Sequence, residues 1–145
     1  MAESNDARPG ARQVGVLLVT HGEFGAALLG AAQLIVGPQE GLLAVSVLES
    51  RGVDDILAEL KVDLAQLEMG MGVLVLTDLF GGTPTTLSLS LRKLGNVEVV
   101  AGVNLPMLLK VLQSRSESLD ALAAQAKSAG VQGIVVPGEM LRKRT

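Results

Sequence analysis

The chain has 145 residues, 48% hydrophobic against 1% aromatic, with a formal net charge of −3. That length fits one domain able to bury an aliphatic core, and the absence of cysteine excludes disulfides and thiolate metal sites. The only basic cluster is Arg142, Lys143 and Arg144, which argues against a nucleic-acid partner, because phosphate contacts need clustered Lys and Arg. Residues 1–13 hold Glu3, Asp6, Arg8, Pro9 and Arg12 and no apolar stretch, and read as a flexible leader, not a signal peptide. No apolar run approaches the ~20 residues of a membrane helix.

Residues 14–20 form the first expected strand, continuously apolar as suits burial on both faces. Residues 24–36 read as a helix stopped by Gly37 and Pro38. A second strand is expected over 42–48. Residues 53–69 repeat Val53, Ile56, Leu57, Leu60, Leu64 and Leu67 at helical spacing. The third strand spans 72–77 and the loop 78–83. Thr83 and Pro84 then have the form of an N-cap followed by proline at the first helical position, opening a helix to about Leu94. A fourth strand over 97–101 precedes helices over 105–115 and 119–129, the latter stopped by Gly130. A fifth strand is expected over 131–136, and residues 139–145 as a basic tail. The domain proper is 14–138.

This alternation predicts an α/β fold: a doubly wound, mainly parallel sheet of about five strands with helices on both faces. Such sheets bind ligands past the carboxyl ends of the strands, where strand order reverses. In the flavodoxin-like order that point lies between strands one and three. His21, the only histidine in the chain, follows strand one, and Asp78 follows strand three.

With no cysteine or tyrosine present, chemistry that needs a neutral-pH nucleophile or proton carrier falls to His21. The loop after strand three carries Gly81 and Gly82, which let main chain approach a ligand. The helix behind them offers unpaired amides and a positive dipole end, an anion cradle without Lys or Arg. Thr83, Thr85 and Thr86 add hydroxyls. A carboxylate on one ring nitrogen fixes the tautomer and frees the other to attack. The combination points to transient phosphorylation of His21, with Asp78 orienting the ring and Gly81, Gly82 and Thr83 holding the phosphoryl oxygens. Thr20, Gly22 and Asn104 are candidates for support. One histidine and scattered carboxylates form no metal-ligand set, and no cofactor is implied.

Three segments, 16–22 (Val-Leu-Leu-Val-Thr-His-Gly), 76–84 (Leu-Thr-Asp-Leu-Phe-Gly-Gly-Thr-Pro) and 101–108 (Ala-Gly-Val-Asn-Leu-Pro-Met-Leu), resemble the mannose-family enzyme IIA domain of the bacterial phosphoenolpyruvate-dependent sugar phosphotransferase system. The resemblance covers about residues 14–136. It implies a cytoplasmic phosphocarrier, phosphorylated on His21 by HPr, that hands the group to an enzyme IIB. It further implies Asp78 as the imidazole's hydrogen-bond partner, and a homodimer in which the last strand crosses to the neighbouring subunit. Thr83 stands where serine is also familiar, and Thr85 with Thr86 replaces an asparagine-containing pair. No IIB domain follows the last expected strand, so the receiver is expected to be a separate protein.

The alternative is a regulatory module whose His21 phosphorylation state controls binding to a kinase, transcription factor or enzyme without sugar transport. A phosphotransfer subunit of dihydroxyacetone kinase is disfavoured by the Gly-Gly-Thr-Pro segment. His21-Gly22-Glu23 shares its first two residues with the Arg-His-Gly signature of histidine phosphatases, but position 20 is Thr and the basic phosphate pocket is lacking.

Overall fold

A computed structural model describes residues 12–143, and at its centre is a parallel sheet. β1 (Gly15–His21), β2 (Leu42–Val47), β3 (Val73–Thr77) and β4 (Val97–Ala101) lie in the order β2-β1-β3-β4, every pairing parallel. The helices are α1 (Phe24–Val36), α2 (Val53–Leu67), α3 (Gly82–Ser90), α4 (Leu105–Leu112), α5 (Leu119–Gln132) and α6 (Pro137–Lys143), with a 3-10 turn at Leu91–Leu94. The chain leaves β1 on one side for β2 and returns past it to β3. Strand order therefore reverses between β1 and β3, which opens a crevice beyond their carboxyl ends.

Alternate strand residues face opposite sides of a sheet, and the apolar strands fill both. Val16, Leu18, Leu74 and Leu76 pack with Ala32 of α1, Leu108 and Val111 of α4 and Leu122 of α5. Leu17, Val19, Val73 and Val75 pack with Ile56 and Leu60 of α2 and Leu87 of α3. Each such buried Leu or Val contributes about 1.5–3 kcal/mol, so strand runs without polar interruption are what this two-sided burial demands.

At the amino-terminal end of the sheet, Arg115 is only 5% exposed. Its Nε donates to the Val14 carbonyl at 2.9 Å, Nη2 to that of Gly41 at 2.9 Å and Nη1 to that of Glu40. The Val14 N–H returns a bond to the Arg115 carbonyl at 2.9 Å. One side chain thus fastens the segment before α5 to the starts of β1 and β2. Burial lowers its pKa, against the raising influence of Glu40.

The expected fifth strand does not form, and the described sheet has four strands. Helix α5 runs through Gly130 to Gln132, because Gly130 is a close-approach site and not a stop. A Cβ there would lie 2.8 Å from Met107 Cε, and its carbonyl accepts from Asn104 Nδ2 at 3.0 Å. Only 133–136 remain before α6, and they pair with no strand. Ile134, Val135 and Val136 are 74%, 56% and 57% exposed. The expected basic tail is helical through residue 143; residues 144–145, and residues 1–11 of the expected leader, lie outside the described residues. Arg12 is anchored, its Nη2 donating to the Gly70 carbonyl at 2.8 Å.

Candidate active site

β1 delivers His21 to the crevice as its last residue. Gly22 turns the chain with φ of 52°, and its N–H donates to the Val47 carbonyl at 2.9 Å, tying the turn to β2. Thr20 is fully buried, and its Oγ1 accepts from the Gly25 N–H at 2.7 Å. It therefore holds the first turn of α1 and contributes no hydroxyl to the crevice.

Asp78 comes from the neighbouring strand, one residue past Thr77, which pairs with Val19. Its Oδ2 lies 2.9 Å from His21 Nδ1 and also accepts the His21 main-chain N–H at 3.0 Å. The His21 side chain is 53% exposed and that of Asp78 15%. Oδ1 of Asp78 is buried without a hydrogen-bond partner among the described residues. Burial pushes the Asp78 carboxyl up, but the His21 amide, ring hydrogen bond and charge together outweigh it, and the net pKa lies below the ordinary 3.8. An ionised carboxylate can only accept. In the neutral ring Nδ1 therefore carries the proton and Nε2 the lone pair.

The glycine loop meets that free nitrogen. A Cβ on Gly82 would stand 3.5 Å from both Cε1 and Nε2 of His21. Gly81 caps α3 with φ 92° and ψ 168°, and Gly82 has φ 79°. Helix α3 thus begins before the expected Thr83–Pro84 boundary, because two glycines accept positive φ where a residue with a Cβ resists it. The first amides of a helix lack intrahelical acceptors. Here they belong to Gly81, Gly82 and Thr83, since Pro84 has no N–H. Helix polarity adds positive potential at the same place.

Thr83 is exposed at this helix start. Thr85 turns inward: its Oγ1 donates to the Leu79 carbonyl at 2.5 Å and lies 2.9 Å from Thr77 Oγ1. It thus pins the loop from beneath, and of the two threonines that follow Pro84 only Thr86 is exposed. The Asn104 side chain bonds to α4 and α5 and not to the pair. Its Oδ1 caps α4 by accepting the Met107 N–H at 3.0 Å, and its Nδ2 reaches α5.

Sequence reasoning missed the second donor to Asp78, the His21 main-chain N–H. It also missed the loop-fixing hydroxyl of Thr85; the Thr77–Thr85 spacing across the loop was its only trace. Glu23, the residue before α1, accepts from Ser46 Oγ at 3.4 Å. Among the described residues no group of His, Cys, Asp and Glu is placed to hold a metal ion. No described helix is long and apolar enough to cross a membrane.

The chain is thus of the class of parallel α/β proteins that hold an imidazole at the point of strand reversal, locked by a carboxylate and set against a glycine-opened helix start. Comparison with known proteins narrows this. A model of the EIIA-man family, described as PTS system fructose IIA component, matches residues 15–127, and the chain belongs to that family. It is 32% identical over 132 residues to the PTS system fructose-specific EIIA component of Bacillus subtilis, covering 90% of each chain. It is also 32% identical over 124 residues to the PTS system mannose-specific EIIAB component of Escherichia coli, covering 83% of this chain but only 38% of that longer protein. Among solved structures, phosphotransferase system component EIIA from Streptococcus agalactiae superposes with a TM-score of 0.80 at 29% identity, covering 87% of this chain and 98% of that one. The mannose/sorbose-specific IIA subunit from Enterococcus faecalis gives 0.78 at 30% identity, covering 86% and 95%.

Proposed function

We propose that this protein is a phosphocarrier of the sugar phosphotransferase system, accepting a phosphoryl group from an HPr-type donor on His21 Nε2 and passing it to a separate enzyme IIB. The observation that carries this reading is the pair of hydrogen bonds that His21 donates to Asp78 Oδ2, which leaves Nε2 facing Gly82.

The Nε2 lone pair attacks phosphorus in line with the donor's P–N bond. As the new N–P bond forms, the old one breaks and its electron pair returns to the donor nitrogen. The ring acquires positive charge, which the Asp78 carboxylate balances across Nδ1–H. The amides of Gly81, Gly82 and Thr83 bind the equatorial oxygens, where charge spreads in the transition state. The second transfer runs the same steps in reverse toward the acceptor. Positioning and charge stabilisation carry the reaction, and no cofactor takes part.

The same reading places the protein in the cytoplasm as a homodimer. β4 is an edge strand, and beside it runs a groove of about 790 Å³ lined by Val99, Ala101, Ala123 and Ile134. An open edge next to the exposed apolar residues 134–136 fits an exchange in which each copy's terminal segment covers the other's edge.

Incubation with phosphoenolpyruvate, enzyme I and HPr tests the function. One acid-labile, base-stable phosphoryl group is expected on the wild-type protein and none on His21→Ala. An alanine variant labelled at the wild-type rate would refute the assignment.

A further inference from the structure

Between β3 and α3 the chain passes through Leu79 and Phe80, 59% and 82% exposed, and through Gly81, where an added Cβ would meet nothing within 4 Å. Side-chain packing therefore does little to hold this stretch, yet Gly82 at its end stands against His21 Nε2. A pair of hydroxyls removed from water holds it instead. Thr77 is fully buried and Thr85 only 3% exposed. A carbonyl only accepts, and a hydroxyl has one proton to give. Thr85 Oγ1 gives its proton to the Leu79 carbonyl at 2.5 Å, so across the 2.9 Å contact between the two hydroxyls it is Thr77 that donates. The bonds run one way, from β3 through α3 into the loop. Their root is fixed: Thr77 is the last residue of β3, and its carbonyl accepts the N–H groups of Gly102 at 2.8 Å and Val103 at 2.9 Å.

Resting on the phosphocarrier reading, we infer that Thr85 is a positioning residue for phosphoryl transfer, its hydroxyl setting the amides of Gly81, Gly82 and Thr83 against His21 Nε2 by way of Leu79. The bond from Thr85 to Leu79 closes residues 79–85 into a ring, and those three amides lie on it. Leu79 also adjoins Asp78, whose Oδ2 takes both hydrogen bonds from His21. One hydroxyl thus keeps the group that orients the imidazole in register with those that receive the phosphoryl oxygens. Its own bonds go to Leu79 and Thr77, so it acts through the loop and not on the phosphoryl group. A misplacement of about 1 Å in such a site costs on the order of 100-fold in rate. Thr85→Val keeps the side-chain volume but leaves the Leu79 carbonyl without this donor. The contacts that bind a donor protein in the ground state are not touched, so the loss falls on the transfer step.

Thr85→Val, Thr85→Ser and Thr77→Val are the deciding variants, with thermal unfolding as the fold control and rates normalised to folded protein. Thr85→Val should lower the limiting rate at saturating phosphorylated HPr about 10–100-fold while KM stays within about twofold. Labelling by potassium phosphoramidate, a small phosphodonor that needs no docking surface, should fall by a similar factor. Thr85→Ser keeps the hydroxyl and should return both rates to within about threefold of wild type. Thr77→Val also deletes a buried hydroxyl but leaves Thr85 its proton for Leu79, and should likewise stay within about threefold. If Thr85→Val does not fold, Thr85→Ala, which also lacks the hydroxyl and adds no bulk, is held to the same expectations. An unchanged limiting rate without the hydroxyl, a rise in KM alone, no recovery in Thr85→Ser, or an equal fall in Thr77→Val overturns the inference. If neither phosphorylated HPr nor phosphoramidate labels His21 of the wild type, the phosphocarrier reading fails. If the wild type is labelled and Thr85→Val keeps its rate, only the role of Thr85 fails.

Discussion

A single oxygen, Oδ2 of Asp78, accepts both the main-chain N–H and the ring Nδ1–H of His21, at 3.0 and 2.9 Å. The carboxylate thereby fixes the backbone at the strand end as well as the plane of the imidazole. Asp78→Asn keeps an oxygen to accept the main-chain bond but loses the charge that opposes a positive ring. Phosphorylation by HPr should slow about 10–100-fold, with circular dichroism and melting behaviour close to wild type. A rate equal to wild type in a continuous phosphotransfer assay would remove Asp78 from the mechanism.

Acid stability follows from the same contact. The folded Asp78 carboxyl holds its proton less tightly than the unfolded one, whose pKa is near 3.8. Its contribution to stability is complete above that value and disappears as pH falls through the lower, folded value. Asp63, raised by burial and by Glu59, acts in the opposite sense. Urea titrations at about pH 6 and about pH 3 should show Asp78→Asn losing less stability on acidification than wild type. Equal losses would mean that the pairing adds nothing to folding.

The two glycines of the cradle should respond differently to alanine. Gly81, at φ 92° and ψ 168°, occupies a region open almost only to glycine, so Gly81→Ala should cost about 1–3 kcal/mol from backbone strain. A Cβ there meets nothing within 4 Å, so no steric block of the ring is added. Gly82→Ala should cost about 1–2 kcal/mol and in addition place a methyl 3.5 Å from Nε2. Phosphorylation rates normalised to folded protein should fall further for Gly82→Ala than for Gly81→Ala. The reverse order would locate the anion elsewhere.

Arg115→Met removes three donors from three main-chain carbonyls in a buried setting. A loss of about 2–4 kcal/mol is expected in chemical denaturation, with phosphorylation kept at temperatures where the variant is folded. Arg115→Lys should recover little, because an ammonium cannot present the planar fork that spans the carbonyls.

Ile134→Glu combined with Val136→Glu tests the exchange of terminal segments. Sedimentation should find the wild-type chain dimeric and the variant monomeric at the same concentration. A monomeric wild type would end the proposal.

The neighbouring placement of His21 and Asp78 was legible in the sequence because it depends on chain connectivity. Strand-helix alternation allows the flavodoxin-like order, and that order brings the ends of β1 and β3 together whatever the packing details. The glycine pair was legible for a related reason, since positive φ leaves a mark in residue type. What could not be read depends on tertiary distance. Gly37 ends a helix with Pro38 behind it; Gly130 does not end one, and the packing of Met107 and Asn104 against it is what keeps it inside α5. Thr83 and Thr85 look alike in sequence, but burial against Thr77 turns the second away from the crevice. Residues 131–136 have the composition of a strand, and composition does not say whether a partner edge is within reach in the same copy.

The guanidinium fastening and the reactive rim occupy opposite ends of β1, roughly 20 Å of strand apart. Demands for robustness and for reactivity are therefore met by different residues. An engineer could vary exposed positions beside the ring, Phe24 and Leu79 among them, while the far anchorage keeps the frame intact.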